Sequence, residues 1–234
     1  MINLDNLALD MPKYMDMVGK EQDIVNNHQE ARISIYESLL AGSMALRVES
    51  RSGDISKVIP IVSAMIEWLR NNDFYTGPAS TKYHESFHGG LLLHSLKVYN
   101  KMIELHALSS FNKINIGSAT LVALTHDWCK IGKYESYFRN EKNPKTQLWE
   151  EKLAYKCSDK YIGLGHGPQS LMMLSQFCTT QLTSLSFNEM AAIRWHMYTY
   201  DVTSYDINDL NRCGNKIPLV VLTQFADQLA AGDY

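Results

Sequence analysis

Apolar residues recur along most of this chain three or four positions apart, the period of an α-helix. Between Ile55 and Arg70, the residues Val58, Ile59, Val62, Met65, Ile66 and Leu69 form one apolar stripe that stops at Asn71-Asn72, predicting an amphipathic helix. A second helix is expected from about Gly90 to Leu108, with Leu91, His94 and Val98 on one face. A third runs from Ile116 to about Lys130 and buries Leu121, Val122 and Leu124. Ser186 and Glu189 have the spacing of a capping box, so another helix starts there and continues through Ala191, Ala192 and Ile193 to His196. The last, from about Ile217 to Ala231, carries Leu219, Val220, Leu222, Phe225 and Leu229.

The period changes once. Tyr-Glu-Ser-Tyr-Phe-Arg, starting at Tyr134, and the run from Gln147 to Lys156 flank Asn143-Pro144-Lys145-Thr146, which predicts a β-hairpin over residues 134–156. Gly163 to Pro168 is a flexible lead-in to a further helix, with Pro168 suited to its first turn and His166 at its start. The expected fold class is therefore all-α, a helical bundle with a small inserted hairpin. Gly77-Pro78-Ala79-Ser80 is the natural hinge between an amino-terminal helical region, residues 1–76, and a second unit, residues 77–234. With 234 residues, 45% of them hydrophobic, the chain can bury a substantial core. The helix of residues 55–70 is expected to pack against the second unit from beneath.

Polar residues inside apolar stripes are the informative exceptions, because an imidazole or carboxylate buried there needs a partner. His94, His126, Asp127, His166, His196 and Asp227 all stand in or beside predicted helices, spaced by about 30 to 40 residues, enough for a helix and its return. The six side chains can therefore converge in a bundle. Imidazole and carboxylate without thiolate suit a divalent ion such as Mn, Fe, Co, Ni, Zn or Mg. Lys130 follows Asp127 by three residues and His126 by four, so on a continuing helix a cation stands beside these ligands without being one.

Three stretches carry a resemblance: Gly89-Gly90-Leu91-Leu92-Leu93-His94-Ser95, then Thr125-His126-Asp127-Trp128-Cys129-Lys130-Ile131-Gly132-Lys133, and Phe225-Ala226-Asp227-Gln228-Leu229. Over roughly residues 84 to 231 the chain resembles the HD-domain metal-dependent phosphohydrolase superfamily. His166 and His196 resemble the subset that holds two metals. The resemblance implies an HD catalytic domain over residues 77–234 that hydrolyses a phosphate ester of a nucleotide or nucleic-acid-type substrate. It implies Asp127 bridging two ions, one held further by His94, His126 and Asp227 and the other by His166 and His196. Water activated between the ions would attack phosphorus, Lys130 would offset charge on the phosphoryl oxygens, and His88 or a water on the metals would protonate the leaving oxygen.

Further candidates surround this set. His84 and His88 lie just before the second helix, where an imidazole can bind phosphate, and Arg139, with Lys142 and Lys145, lies on or near the hairpin. Arg194 precedes His196 by two residues and faces elsewhere on a regular helix, whereas His28 and His106 have no metal context. The formal charge of −3 argues against a protein that wraps duplex nucleic acid. The expected partner is a small phosphorylated substrate, a nucleotide first and a short single-stranded nucleic acid second; a homo-oligomer is compatible with all of this. The four cysteines at 129, 157, 178 and 213 form no CxxC pair, so reduced thiols in a cytoplasmic setting are expected. Met1 to Asp16 lack a basic region followed by an apolar stretch, and no apolar run reaches about 18 residues, so neither export nor a membrane span is expected. A di-iron oxygenase on the same fold, or a nucleotide-binding sensor without turnover, would share much of this pattern. The complete six-ligand set argues against the sensor, whereas metal analysis and oxygen uptake separate the oxygenase, which shares that set, from the hydrolase.

Overall fold

The computed structural model describes residues 29–51 and 53–232, so the readings made of Met1 to Asp16 and of His28 lie outside the described residues. Helix α1 (Gln29–Glu49) buries Tyr36, Leu39, Leu40, Met44 and Val48. Its main neighbour is α4 (Ile116–Thr125), which starts on an Asn115 cap. The two helices cross closely. A Cβ added to Gly117 would lie 2.8 Å from both the Leu46 Cβ and the Ser43 carbonyl oxygen, so this crossing requires glycine.

After a 3-10 turn (Ile55–Val58), α2 (Ile59–Arg70) ends at Asn71 as its stripe predicts, with Val62, Met65 and Leu69 buried. Trp68 of α2 stands 5.4 Å from Trp128, ring to ring, which puts this helix behind the segment that carries Asp127. Helix α3 (Gly90–His106) is buried along Leu91, Leu92, Leu96, Val98 and Met102. It packs chiefly on α8 (Pro218–Ala231) and next on α4. Helix α6 (Phe187–Trp195) packs against α8 and against α5 (His166–Ser175). The helices before residue 77 and those after it share one hydrophobic core, which includes Tyr36, Met65, Leu91, Leu121, Ile193 and Leu222. No helix among the described residues is long and apolar enough to cross a membrane.

The hairpin forms where its sequence places it. Strands β1 (Tyr134–Lys142) and β2 (Trp149–Cys157) pair antiparallel, with Tyr134 opposite Cys157 and Lys142 opposite Trp149. Asn143 closes the turn by accepting from the amides of Lys145 and Thr146. The described residues are thus mostly helical with one two-stranded sheet, as expected.

Two local expectations change. The helix of residues 116–130 stops at Thr125, and Trp128–Lys130 is a separate 3-10 turn. Its ending has a physical cause: Asp127 leaves the helical region (φ −106°, ψ 17°), and the ring of His126 takes over the Ala123 carbonyl as acceptor. Helix α7 (Ile207–Lys216) was not foreseen: its apolar stripe is narrow, Ile207, Leu210 and Cys213 among polar residues, and within it only Leu210 is buried.

Candidate metal centre

Five helices bring the six expected residues together. His94 enters from α3, Asp227 from α8 and His166 from the first position of α5. His126 and His196 each stand one residue beyond a helix end, on α4 and α6. Asp127 lies among them: its Oδ2 is 3.4 Å from the His94 Nε2 and 3.5 Å from the His126 Nε2, and its Oδ1 is 3.6 Å from the His196 Nε2. The Asp227 Oδ1 is 3.1 Å from the His94 Nε2 and 3.7 Å from the His126 Nε2. Two sets of donor atoms result, His94 with His126 and Asp227, and Asp127 with His166 and His196. Within each set all ligand atoms lie within 4.8 Å of one another, close enough to hold a metal ion.

The hydrogen bonds of the rings decide which nitrogens are free to bind. The Nδ1–H of His126 donates to the Ala123 carbonyl and that of His196 to the Ile193 carbonyl, each at 2.8 Å. A carbonyl can only accept, so the proton sits on Nδ1 and Nε2 keeps its lone pair. Both Nε2 atoms are buried without a hydrogen-bond partner. Burying such an acceptor unpaired costs about 1–3 kcal/mol. A divalent cation between these nitrogens and the carboxylates would remove that cost, so the residues present fit a metal.

Charge points the same way. Burial alone would lower the pKa of His94, but Asp127, Asp227 and Glu85 override it and hold the imidazole up at about 10. Of these three, Asp127 and Asp227 would offer the same oxygens to a cation. Burial would also raise both aspartates, yet Lys130 and His126 keep Asp127 well below the usual carboxylate range, and His94 and His126 keep Asp227 below it. The Lys130 Nζ is 2.6 Å from the Asp127 Oδ2 and almost fully buried. Burial disfavours its ammonium, but Asp127 outweighs that and keeps the lysine charged.

The centre forms the floor of a cleft of about 230 Å³, lined by His84, Asp127, Lys130, His166, His196 and Asp227 among others. His84 is half-buried with its ring 4.7 Å from that of His94; burial, then His94 and Lys130, push it down to about 4, so it is neutral near pH 7. The His166 Nε2 accepts from the Lys133 Nζ at 2.8 Å, and burial, with Lys133 and Lys130, likewise lowers that imidazole to about 4. Lys133 has thus a contact that its place in the sequence, three residues after Lys130, could have pointed to.

Other candidates stand apart. His88 is exposed on the surface and does not line the cleft. Arg139 is exposed on β1 and paired with Glu141 at 2.8 Å, and Lys142 and Lys145 are exposed as well. Arg194 lies over the Trp195 ring and donates to the Asp201 carbonyl. His106 donates to or accepts from no centre residue; its Nε2 meets the Ile114 carbonyl. All four cysteines are free thiols, and Cys129 is buried beside Asp127. Set against known protein families, curated proteins and solved structures, the chain finds no match, so its chemistry has to be read from this geometry.

Proposed function

We propose that this chain is an HD-type phosphohydrolase that cleaves a phosphate ester of a nucleotide or nucleic-acid-type substrate with the help of two divalent cations. The observation that carries this reading is the pair of buried His/Asp sets meeting at Asp127 in one open cleft, with two imidazole lone pairs unsatisfied and a buried lysine beside them. One cation would be held by His94, His126 and Asp227, the other by His166 and His196, with Asp127 serving both. Bound there, the cations would supply Lewis acidity toward a phosphoryl oxygen and a water acidified to near neutrality.

The chain's own groups do the rest. Lys130 keeps an ammonium at the cleft floor, where it binds a phosphoryl oxygen and offsets charge that develops on it. His84, neutral at physiological pH, offers a ring nitrogen to the same group, since its buried Nε2 has no partner of its own. Burial of His94, His126 and His196 keeps bulk water off the ligand atoms and strengthens their electrostatics. At about 230 Å³ the cleft is near the lower end of ligand pockets, which suits a small substrate entering phosphate first.

The test is a screen of the purified chain, made metal-free and reloaded with Mn, Co, Mg, Zn or Fe, against nucleotides and short oligonucleotides under anaerobic conditions. Phosphate or nucleotide release with at least one ion is the expected result. No turnover with any ion would remove the hydrolase reading, and oxygen uptake with iron would replace it by the oxygenase. Within the hydrolase, Lys130→Ala is expected to keep its bound metal while kcat falls by about 10²-fold, the usual cost of losing one charge-stabilising donor. Unchanged kinetics in that variant would leave Lys130 with a purely structural role.

A further inference from the structure

The loop before α3 holds a carboxylate where conformation alone would favour glycine. Glu85 has φ +43°, in the left-handed region that L-residues adopt only at a cost and that tends to persist where function requires it. Its backbone is fixed from three sides. The Glu85 carbonyl accepts from the Ala79 amide at 3.1 Å, and the Ser80 hydroxyl donates to the His84 carbonyl at 2.7 Å. Gly90 packs so tightly on the same segment that a Cβ there would lie 2.0 Å from the Glu85 oxygen. The side chain is 5% exposed; its Oε1 accepts from the Lys97 Nζ at 2.7 Å, and its Oε2 stands 3.5 Å from the His94 Nδ1. Both the Oε2 and that Nδ1 are buried without a hydrogen-bond partner, and at 3.5 Å each is the polar atom the other faces.

We propose that Glu85 is a positioning residue for the metal centre: its carboxylate holds the proton of the His94 Nδ1 and so keeps the Nε2 free, and correctly aimed, to bind a cation. The inference rests on the metal-binding part of the proposed function and not on the reaction catalysed. His126 and His196 obtain the same service from backbone carbonyls because each stands just past a helix end. His94 is inside α3, where the carbonyls of the preceding turn are committed to the helix, so its acceptor has to come from a side chain. Glu85, Lys97 and His94 form a line, with Lys97 orienting the carboxylate and the carboxylate orienting the ring. Carboxylates behind a ligating histidine fix its tautomer and raise its basicity.

A pair of variants tests this with an order that packing alone would not give. In Glu85→Gln, Lys97 can only donate and therefore retains the amide oxygen; the amide NH2 then faces the His94 Nδ1 and donates to it, driving the remaining ring proton onto Nε2. Glu85→Gln is expected to weaken Mn binding about 10- to 100-fold, and at least as much as Glu85→Ala, although glutamine preserves shape far better than alanine. The measurement is titration of the metal-free proteins with Mn in competition with a chromogenic chelator, with thermal unfolding of the metal-free state alongside to show that both variants fold. Wild-type affinity in Glu85→Gln, or a milder loss than in Glu85→Ala, overturns the proposal. So does the loss of one bound equivalent with the other sites unaffected, which would make Glu85 a ligand in its own right. A wild-type chain that binds no cation would instead overturn the metal centre itself.

Discussion

Replacing Asp127 by alanine is expected to remove cation binding and hydrolysis together, with kcat falling by at least about 10³-fold. Among the described residues, Asp127 is the one whose two oxygens face both donor sets, Oδ2 toward His94 and His126 and Oδ1 toward His196. Its loss also leaves the buried Lys130 ammonium without its 2.6 Å partner, so a drop in stability has to be separated from a loss of metal. Asp127→Asn, which keeps volume and a carbonyl oxygen, serves for that. The readout is the shift of the unfolding midpoint on adding Mn. A ligand at a hundredfold excess over its Kd stabilises a folded protein by about 2.7 kcal/mol, and neither variant should show that gain. If Asp127→Ala still gained stability with Mn and still turned over substrate, the site would lie elsewhere.

The second large effect concerns folding. Glu189→Ala is expected to cost about 3–5 kcal/mol, because it strands a buried arginine. Arg47 is 1% exposed and Glu189 fully buried; they share a two-pronged ion pair, Nε to Oε1 at 2.5 Å and Nη2 to Oε2 at 2.9 Å. The Ser118 hydroxyl and the Ser186 amide each donate to the same carboxylate at 2.7 Å, so one side chain ties α1, the start of α4 and the start of α6. At roughly 2–4 °C per kcal/mol for a chain of this size, the unfolding midpoint should fall by about 6 to 20 °C. A fall of only a degree or two would show that the tie is dispensable.

The same pair sets an acid limit. Burial by itself would raise the pKa of Glu189, but Arg47, with Ser118 and Ser186, holds it below the ordinary glutamate range. A carboxyl depressed in the folded state stabilises fully above its unfolded value, about 4.3, and loses that contribution as pH falls through the folded value. The gap in stability between the wild type and Glu189→Gln should therefore be constant near neutrality and close below about pH 4.

How much of this was legible in the sequence depends on whether a signal is local. Ser186 and Glu189 announce the start of α6, and both halves of the capping box form. The six candidate ligands stood out because histidine and aspartate interrupt apolar stripes, and the fold brings those interruptions to one place. The partner of Glu189 did not stand out, since Arg47 lies 142 positions away and no pattern near either residue points to the other. Glu85 was hidden for a related reason: its strained backbone and its approach to His94 come from the packing of a loop, not from any periodicity. The stop of α4 at Thr125 escaped because the ring of His126 captures a backbone carbonyl, a competition that hydrophobic spacing does not register. His88 and Arg139 looked like phosphate contacts by residue type, but type says nothing of direction, and both side chains are exposed.

Because α4 and α6 both terminate at the cluster, through His126 and His196, each also presents the negative end of its macrodipole there, worth about half an elementary charge. These two fields add to the aspartates. Against them stand the positive end of α5, which starts at His166, the Lys130 ammonium and the proton held on His94, so the centre is close to balanced in charge and a dication entering it would do so in exchange for that proton.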